Sequence, residues 1–422
     1  DREMKFNTLY RIIAVLVFMV TPASLMAGET YMSGFLQGLY GAGLDRDNPT
    51  SSEYTASESR LQLRMESFSD NAEFFGRLDF VYDDYNDPNV DLELREAFMK
   101  FRMFDKLDFK IGRQIITWGT GDLIFINDLF AKDYQSFFTG RDDQYLKAPQ
   151  NALRMEYYSP IGTFSGVFTP RFTPNRVPTG ERLSYFNPFA NQIVGGSDFY
   201  FEGQMPEAEF KNSEIAARFS RYVGSADIAF YFYHGFYKNP LAVNMVDSVA
   251  YYPRLNVYGA SIRMPLLGGI AWLESGYYDS RDDAEGNDPL IPNASVNSMI
   301  GFERQLNSTL TANIQYQNKY MLDHDVYAAG LFPGMVEMDE HYHMVTTRLT
   351  QLMMMETVTI SAFGFYSPSE EDFYGRFSVS YKYTDALTLT AGANVFEGKD
   401  DYTDFGRFQK NDNVYLKMTY GY

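Results

Sequence analysis

Residues 60–66 read Arg60-Leu61-Gln62-Leu63-Arg64-Met65-Glu66, with every second residue apolar and every intervening one polar or charged. A two-residue period marks a strand, because successive side chains leave opposite faces of an extended backbone. The alternation recurs at Leu310, Ala312, Ile314 and Tyr316 against Thr311, Asn313, Gln315 and Gln317. It returns at Leu387, Leu389, Ala391 and Ala393 against Thr388, Thr390, Gly392 and Asn394. No stretch beyond residue 28 sustains a 3.6-residue apolar period over a helical length. The chain reads as all-β.

Water-soluble sandwiches also alternate, so the rhythm of the connections decides between architectures. Strands are predicted over 29–44, 57–69, 72–84, 91–104, 107–117, 151–159, 162–171, 212–222, 225–237, 254–264, 268–279, 294–305, 308–319, 341–352, 356–366, 372–382, 386–397 and 411–422. Every second connection is tight: Ser69-Asp70-Asn71, Pro160-Ile161, Gly224, Pro265-Leu266-Leu267, Asn307 and Thr384-Asp385. The alternate connections are mostly long, including 118–150, 172–211, 238–253 and 320–340. An even number of strands, about 18, with short turns at one end and long loops at the other describes a transmembrane antiparallel β-barrel of the bacterial outer membrane. Most segments also reach the roughly 9–11 tilted residues that cross the hydrocarbon.

The address agrees. Met4-Lys5 and Arg11, the apolar run Ile12–Val20 and the small-residue exit Pro22–Ala27 form a signal peptide over residues 1–27, whose apolar run is about half the length that a membrane anchor needs. The barrel then occupies 28–422. At the other end Val414, Leu416, Met418, Tyr420 and Tyr422 make an alternating apolar and aromatic face. It resembles the closing strand that outer-membrane assembly machinery recognises. Tyr40, Phe68, Tyr82, Phe104, Tyr157, Tyr222, Tyr277, Tyr316 and Tyr381 fall near strand ends, where amphipathic rings suit the headgroup level of bilayer and lipopolysaccharide.

The chain has no cysteine, which excludes a disulfide framework and Cys-ligated metals. A net charge of −19 argues against nucleic acid, whose phosphates demand a basic face. No Gly-x-Ser-x-Gly elbow, phosphate-binding glycine loop or His-Glu-x-x-His is present, so no enzyme, catalytic residue or cofactor is predicted. His341 and His343 share a strand face but lack further ligands at metal spacing. No metal site is predicted, and acidic clusters such as Asp83–Asp87 and Asp282–Glu285 read as solvated loops.

With the apolar set facing lipid, the other set lines the lumen, because an ionised residue costs about 2–4 kcal/mol on the lipid face at the midplane. Arg60, Arg64, Arg77, Lys100, Arg102, Lys110 and Arg154 then face inward with Glu66, Asp79, Glu96, Asp108 and Glu156. These cations form either a ladder for an anion or ion pairs bracing the wall. The later strands present mainly Thr, Asn, Gln and Ser, with Arg348, Arg376, Lys382 and Lys417 as charged exceptions. The 118–150 connection carries Leu123-Ile124-Phe125-Ile126, Leu129-Phe130 and Phe137-Phe138, too apolar for a loop in water. It is predicted to fold into the mouth or lumen as a constriction, with Trp118, Asp122, Asp128, Arg141 and Asp142 as its site residues and Arg113 and Gln114 anchoring its start. The 172–211 connection, with Phe186, Phe189, Phe199, Tyr200 and Phe201, is a second lid candidate.

Leu94-Arg95-Glu96-Ala97, Ile111-Gly112-Arg113-Gln114, Trp118-Gly119 and Asn127-Asp128 resemble a family of porin-like proteobacterial outer-membrane proteins of unknown function. That family is distantly similar to alginate-export and phosphate-selective porins. The resemblance is sharp over about 40 residues and departs from the pattern where Asp128, not proline, follows Asn127. It implies a barrel with a channel or export role, beside lipid-handling partners. The expectation is a channel for small polar or anionic solutes. The alternative is a barrel scaffold that docks an envelope partner such as a cytochrome or lipid carrier.

Overall fold

The computed structural model describes residues 29–422 apart from 51, 86–87, 189, 197–202 and 248. The predicted signal peptide lies outside the described residues, as do Phe189, Phe199, Tyr200 and Phe201 of the second lid and part of the 83–87 cluster. Eighteen strands form one antiparallel sheet: β1 (Glu29–Gly43), β2 (Tyr54–Phe68), β3 (Ala72–Asp83), β4 (Val90–Met103), β5 (Leu107–Gln114), β6 (Gln150–Ser159), β7 (Gly162–Thr169), β8 (Glu214–Val223), β9 (Ala226–Phe236), β10 (Arg254–Leu266), β11 (Gly269–Ser280), β12 (Ser295–Gln305), β13 (Leu310–Met321), β14 (His341–Met353), β15 (Val358–Ser367), β16 (Asp372–Lys382), β17 (Leu387–Gly398) and β18 (Asn413–Gly421). Each strand pairs with its sequence neighbours, and β1 pairs with β18 from Phe35↔Gly421 to Gly43↔Asn413. That last ladder closes the sheet, so no edge is left to pair elsewhere.

The outer wall is apolar. Leu36, Phe230, Ile300, Ile314, Leu416 and Met418 are all more than half exposed although they sit in mid-strand. A band of this size marks a membrane surface. All nine predicted girdle rings, Tyr40 through Tyr381, are exposed as well. His341 and His343 join them on the outer face: their rings stack 6.0 Å apart, and the Tyr316 hydroxyl lies 2.8 Å from His343 Nδ1.

The departure from the predicted strands that shapes the lumen is at β5, which stops at Gln114 rather than 117. Ile116 is 2% exposed and packs inside the barrel, so the chain leaves the wall three residues early because burial of Ile116 outweighs continued pairing. The ladder is irregular on β4, the strand that neighbours Arg113. The register passes from Arg77↔Glu96 to Leu78↔Leu94, leaving Arg95 as the extra residue of a β-bulge. Arg113 Nε donates to the Leu94 carbonyl at 2.6 Å and secures that bulge.

Gly112, in β5, has φ +128°, and a Cβ there would lie 2.2 Å from the Ala97 carbonyl oxygen. Gly112→Val is therefore expected to cost at least about 1–3 kcal/mol from backbone strain alone, before the clash is counted. The heat-modifiable, folded fraction on cold SDS gels should fall sharply, and a folded yield equal to the native chain's would refute the close approach.

Candidate functional site: a loop across the lumen

The 115–149 connection does not leave the barrel. Its first half buries Ile116, Ile124, Ile126 and Phe130 against Val167, Ala216, Tyr233, Val257 and Tyr278 of the wall. Its second half contains the short helix α1 (Tyr134–Phe138), whose N-cap Asp133 accepts from Ser136 N at 2.8 Å. There Phe137, Phe138 and Leu146 pack against Phe363, Phe365, Tyr374 and Phe396 on the opposite wall. Two apolar clusters on opposing walls suspend the loop across the lumen.

Polar contacts set its position between them. Glu274 of β11 is 1% exposed and accepts from Thr120 N, Thr120 Oγ1 (2.7 Å), Asn127 N (2.8 Å) and Asn127 Nδ2 (3.1 Å). Asn127 sits against Gly259 of β10, where any Cβ would lie 1.7 Å from its side-chain oxygen. Asp128 accepts from Thr117 Oγ1 at 2.6 Å and from buried Lys132 at 2.9 Å, so it braces the loop internally. Trp118 packs edge-on to Phe130 at 5.2 Å.

At the N-terminal wall Tyr145 OH donates to Asp79 Oδ2 at 3.0 Å, while the Arg60 and Arg95 guanidiniums lie 4.4 and 4.7 Å from its ring centre. Asp79 also binds Arg60 and accepts from Gln62 Nε2 at 2.8 Å. Arg141 pairs with Glu58 and with Asp83 at 3.0 Å. At the C-terminal wall Asp142 pairs with Lys417 of β18 and accepts from Gln37 Nε2 at 3.2 Å. Asp143 accepts from Arg376 of β16 at 2.7 Å and from Arg348 of β14 at 3.5 Å. Asp122 pairs with Arg348 at 2.8 Å, and its amide donates to Gln315 at 2.7 Å.

The three residues Arg141, Asp142 and Asp143 thus form a septum between two cavities. One, of about 520 Å³, lies towards the long loops and is lined by Arg60, Asp83, Glu93, Arg141, Arg176 and Arg182. Asn175, Val177 and Arg182 of the 172–211 connection also line it, and Arg182 donates to Asp83 Oδ2 at 2.6 Å. The other, of about 220 Å³, lies towards the short turns beside Ser361, Ser378, Ser380 and Thr390, with Asp142, Asp143, Arg348, Arg376 and Lys417 around it. In the loops beyond β15, burial and the neighbouring Asp404 push the Glu370 carboxyl up to about 8. That corner therefore carries less negative charge at neutral pH than its composition suggests.

The cations read from β2 to β6 do not form a free ladder. Arg60 pairs with Glu58 and Asp79, Arg64 with Glu66, Arg77 with Glu96, Lys100 with Glu73, Arg102 with Asp108 and Arg154 with Glu156. Lys110 lies 3.6 Å from the ring centre of Phe98. Arg60–Asp79, Arg77–Glu96, Lys100–Glu73 and Arg102–Asp108 bridge adjacent strands and brace the wall, while Arg64–Glu66 and Arg154–Glu156 lie along one strand. The cations that line the smaller cavity are Arg348, Arg376 and Lys417, the charged exceptions of the other wall. Glu274 drew no attention in the sequence, since one inward carboxylate among many has no distinguishing spacing.

These features define a membrane-spanning β-barrel with a polar lumen crossed by an inserted loop. No protein-family model matches the chain, and no curated protein matches its sequence. Solved structures do share the architecture. The Pseudomonas aeruginosa protein OccK2 (OpdF), crystallised in complex with glucuronate, superposes with a TM-score of 0.56 over 93% of this chain and 98% of its own at 10% identity. Acinetobacter baumannii OccAB4 gives 0.55 over 93% and 98% at 10% identity. Pseudomonas aeruginosa OccD3 (OpdP) gives 0.54 over 93% and 91% at 10% identity. At that identity the likeness establishes a shared fold, that of a closed antiparallel β-barrel.

Proposed function

We propose that this protein is a porin-like channel of the bacterial outer membrane that passes small polar solutes and prefers anions. Its long loops face outward among lipopolysaccharide, its short turns face the periplasm, and it reaches the membrane through the outer-membrane assembly machinery. The observation that carries the reading is the excess of cations at the cavity beside the inserted loop, where Arg348, Arg376 and Lys417 stand against Asp142 and Asp143. Charged rings at a narrow point set the sign of the ion that enters. The motifs resemble a porin-like family of unknown function that is itself distantly similar to alginate-export and phosphate-selective porins, both named for anionic cargo. Barrels of 16–18 strands leave an aqueous lumen once their loops are accounted for.

The test is single-channel recording of the refolded chain in planar bilayers across a KCl gradient. The reversal potential is expected to take the sign of a chloride-selective pore. A potassium-selective pore would overturn the anion preference. A correctly folded barrel that stays electrically silent would favour the scaffold that docks an envelope partner.

A further inference from the structure

We propose that Arg348, Arg376 and Lys417 form a binding site for small dicarboxylates, and that the loop's own Asp142 and Asp143 fill it as an internal mimic of that ligand. The proposal rests on the channel reading and names the solute class and the gating of the same site. Two carboxylates on consecutive residues satisfy three cations from three strands. One small molecule with two carboxylates therefore spans the same contacts. Arg376 also donates to the Arg141 carbonyl at 2.8 Å, so the same guanidinium holds both the mimic and the septum's backbone.

Exposure separates these pairs from the others that hold the loop. Side chains of Asp143 and Asp142 are 45% and 36% exposed, whereas Glu58 and Asp83, which bind Arg141, are each 1% exposed. Arg376 and Lys417 are themselves 13% and 8% exposed, so water reaches only the aspartate ends of these pairs, where a dissolved anion can take the place of the carboxylates. The buried pairs opposite offer no such end. The cavity of about 220 Å³ is smaller than the roughly 300–1,000 Å³ of sites for drug-sized ligands. Its hydroxyls, Ser361, Ser378, Ser380 and Thr390, suit a short polar chain between the acid groups. A bound dicarboxylate displaces Asp142 and Asp143 and frees their side of the septum, while Phe137 and Phe138 stay packed on the C-terminal wall.

The probe is succinate, with acetate at matched ionic strength as the single-carboxylate control. Calorimetric titration of the detergent-refolded full chain should show succinate binding that acetate does not match. Asp143→Asn removes one of the two competing carboxylates and should tighten succinate binding at least about tenfold, and Arg376→Gln should abolish it. In bilayers succinate should raise the open probability of the native channel, and acetate at the same ionic strength should not. Equal binding of acetate and succinate, or an unchanged affinity in Asp143→Asn, would overturn the proposal even if the channel conducts. Because calorimetry does not depend on conduction, a silent barrel that binds succinate would overturn the channel reading alone.

Discussion

Replacing residues 122–145 with a short Gly-Ser link is expected to raise single-channel conductance several-fold. The segment lies across the lumen from the Glu274 wall to the Lys417 wall and separates the two cavities. Removing it leaves the polar interior of an eighteen-stranded barrel, which is wide enough for an aqueous channel. The hairpin survives, because Gln114 and Gln150 pair directly at the mouth of the loop. A cost accompanies the change: Val167, Tyr233, Phe363 and Phe396 lose their apolar cover, so the variant should also unfold at lower denaturant. Unchanged conductance in a folded variant would place the barrier elsewhere, and the 172–211 connection would become the next candidate.

Asp79→Ala is expected to be the most destabilising single substitution in the wall. Asp79 is 0% exposed and holds Arg60, Gln62 and Tyr145 together, and Arg60 is itself 2% exposed. Removing one partner leaves a buried guanidinium short of its counter-charge, which costs about 3–5 kcal/mol, whereas replacing both members of a buried pair with apolar residues is often neutral. Urea titrations in lipid vesicles should show a large fall in midpoint for Asp79→Ala and a much smaller one for Asp79→Leu combined with Arg60→Met. Similar losses in the two would mean that packing, not charge, holds the Tyr145 anchor. The same lesion should loosen the septum, since Tyr145 is two residues beyond Asp143.

Much of this was legible in the residues themselves. Leu61, Leu63 and Met65 against Arg60, Gln62 and Arg64 placed the lumen set, because a strand offers only two faces and lipid rejects charge on one of them. The run from Leu123 to Phe138 placed the inserted loop, because so many apolar side chains need cover. Which cations stay paired was not legible. Arg60 and Arg376 look alike as single inward arginines, yet one is sealed between Glu58 and Asp79 while the other meets a half-exposed aspartate.

By itself, then, the sequence determined an eighteen-stranded barrel, its inner and outer faces and the loop that enters it. Each of these follows from local alternation, turn chemistry and the solvent that each face must meet. Only the tertiary structure decided that the bulge sits at Arg95, that Glu274 and Gly259 receive Asn127, and that Asp142 and Asp143 meet Lys417, Arg376 and Arg348. Those contacts join residues more than 130 positions apart, and only closure of the sheet brings them into one cross-section.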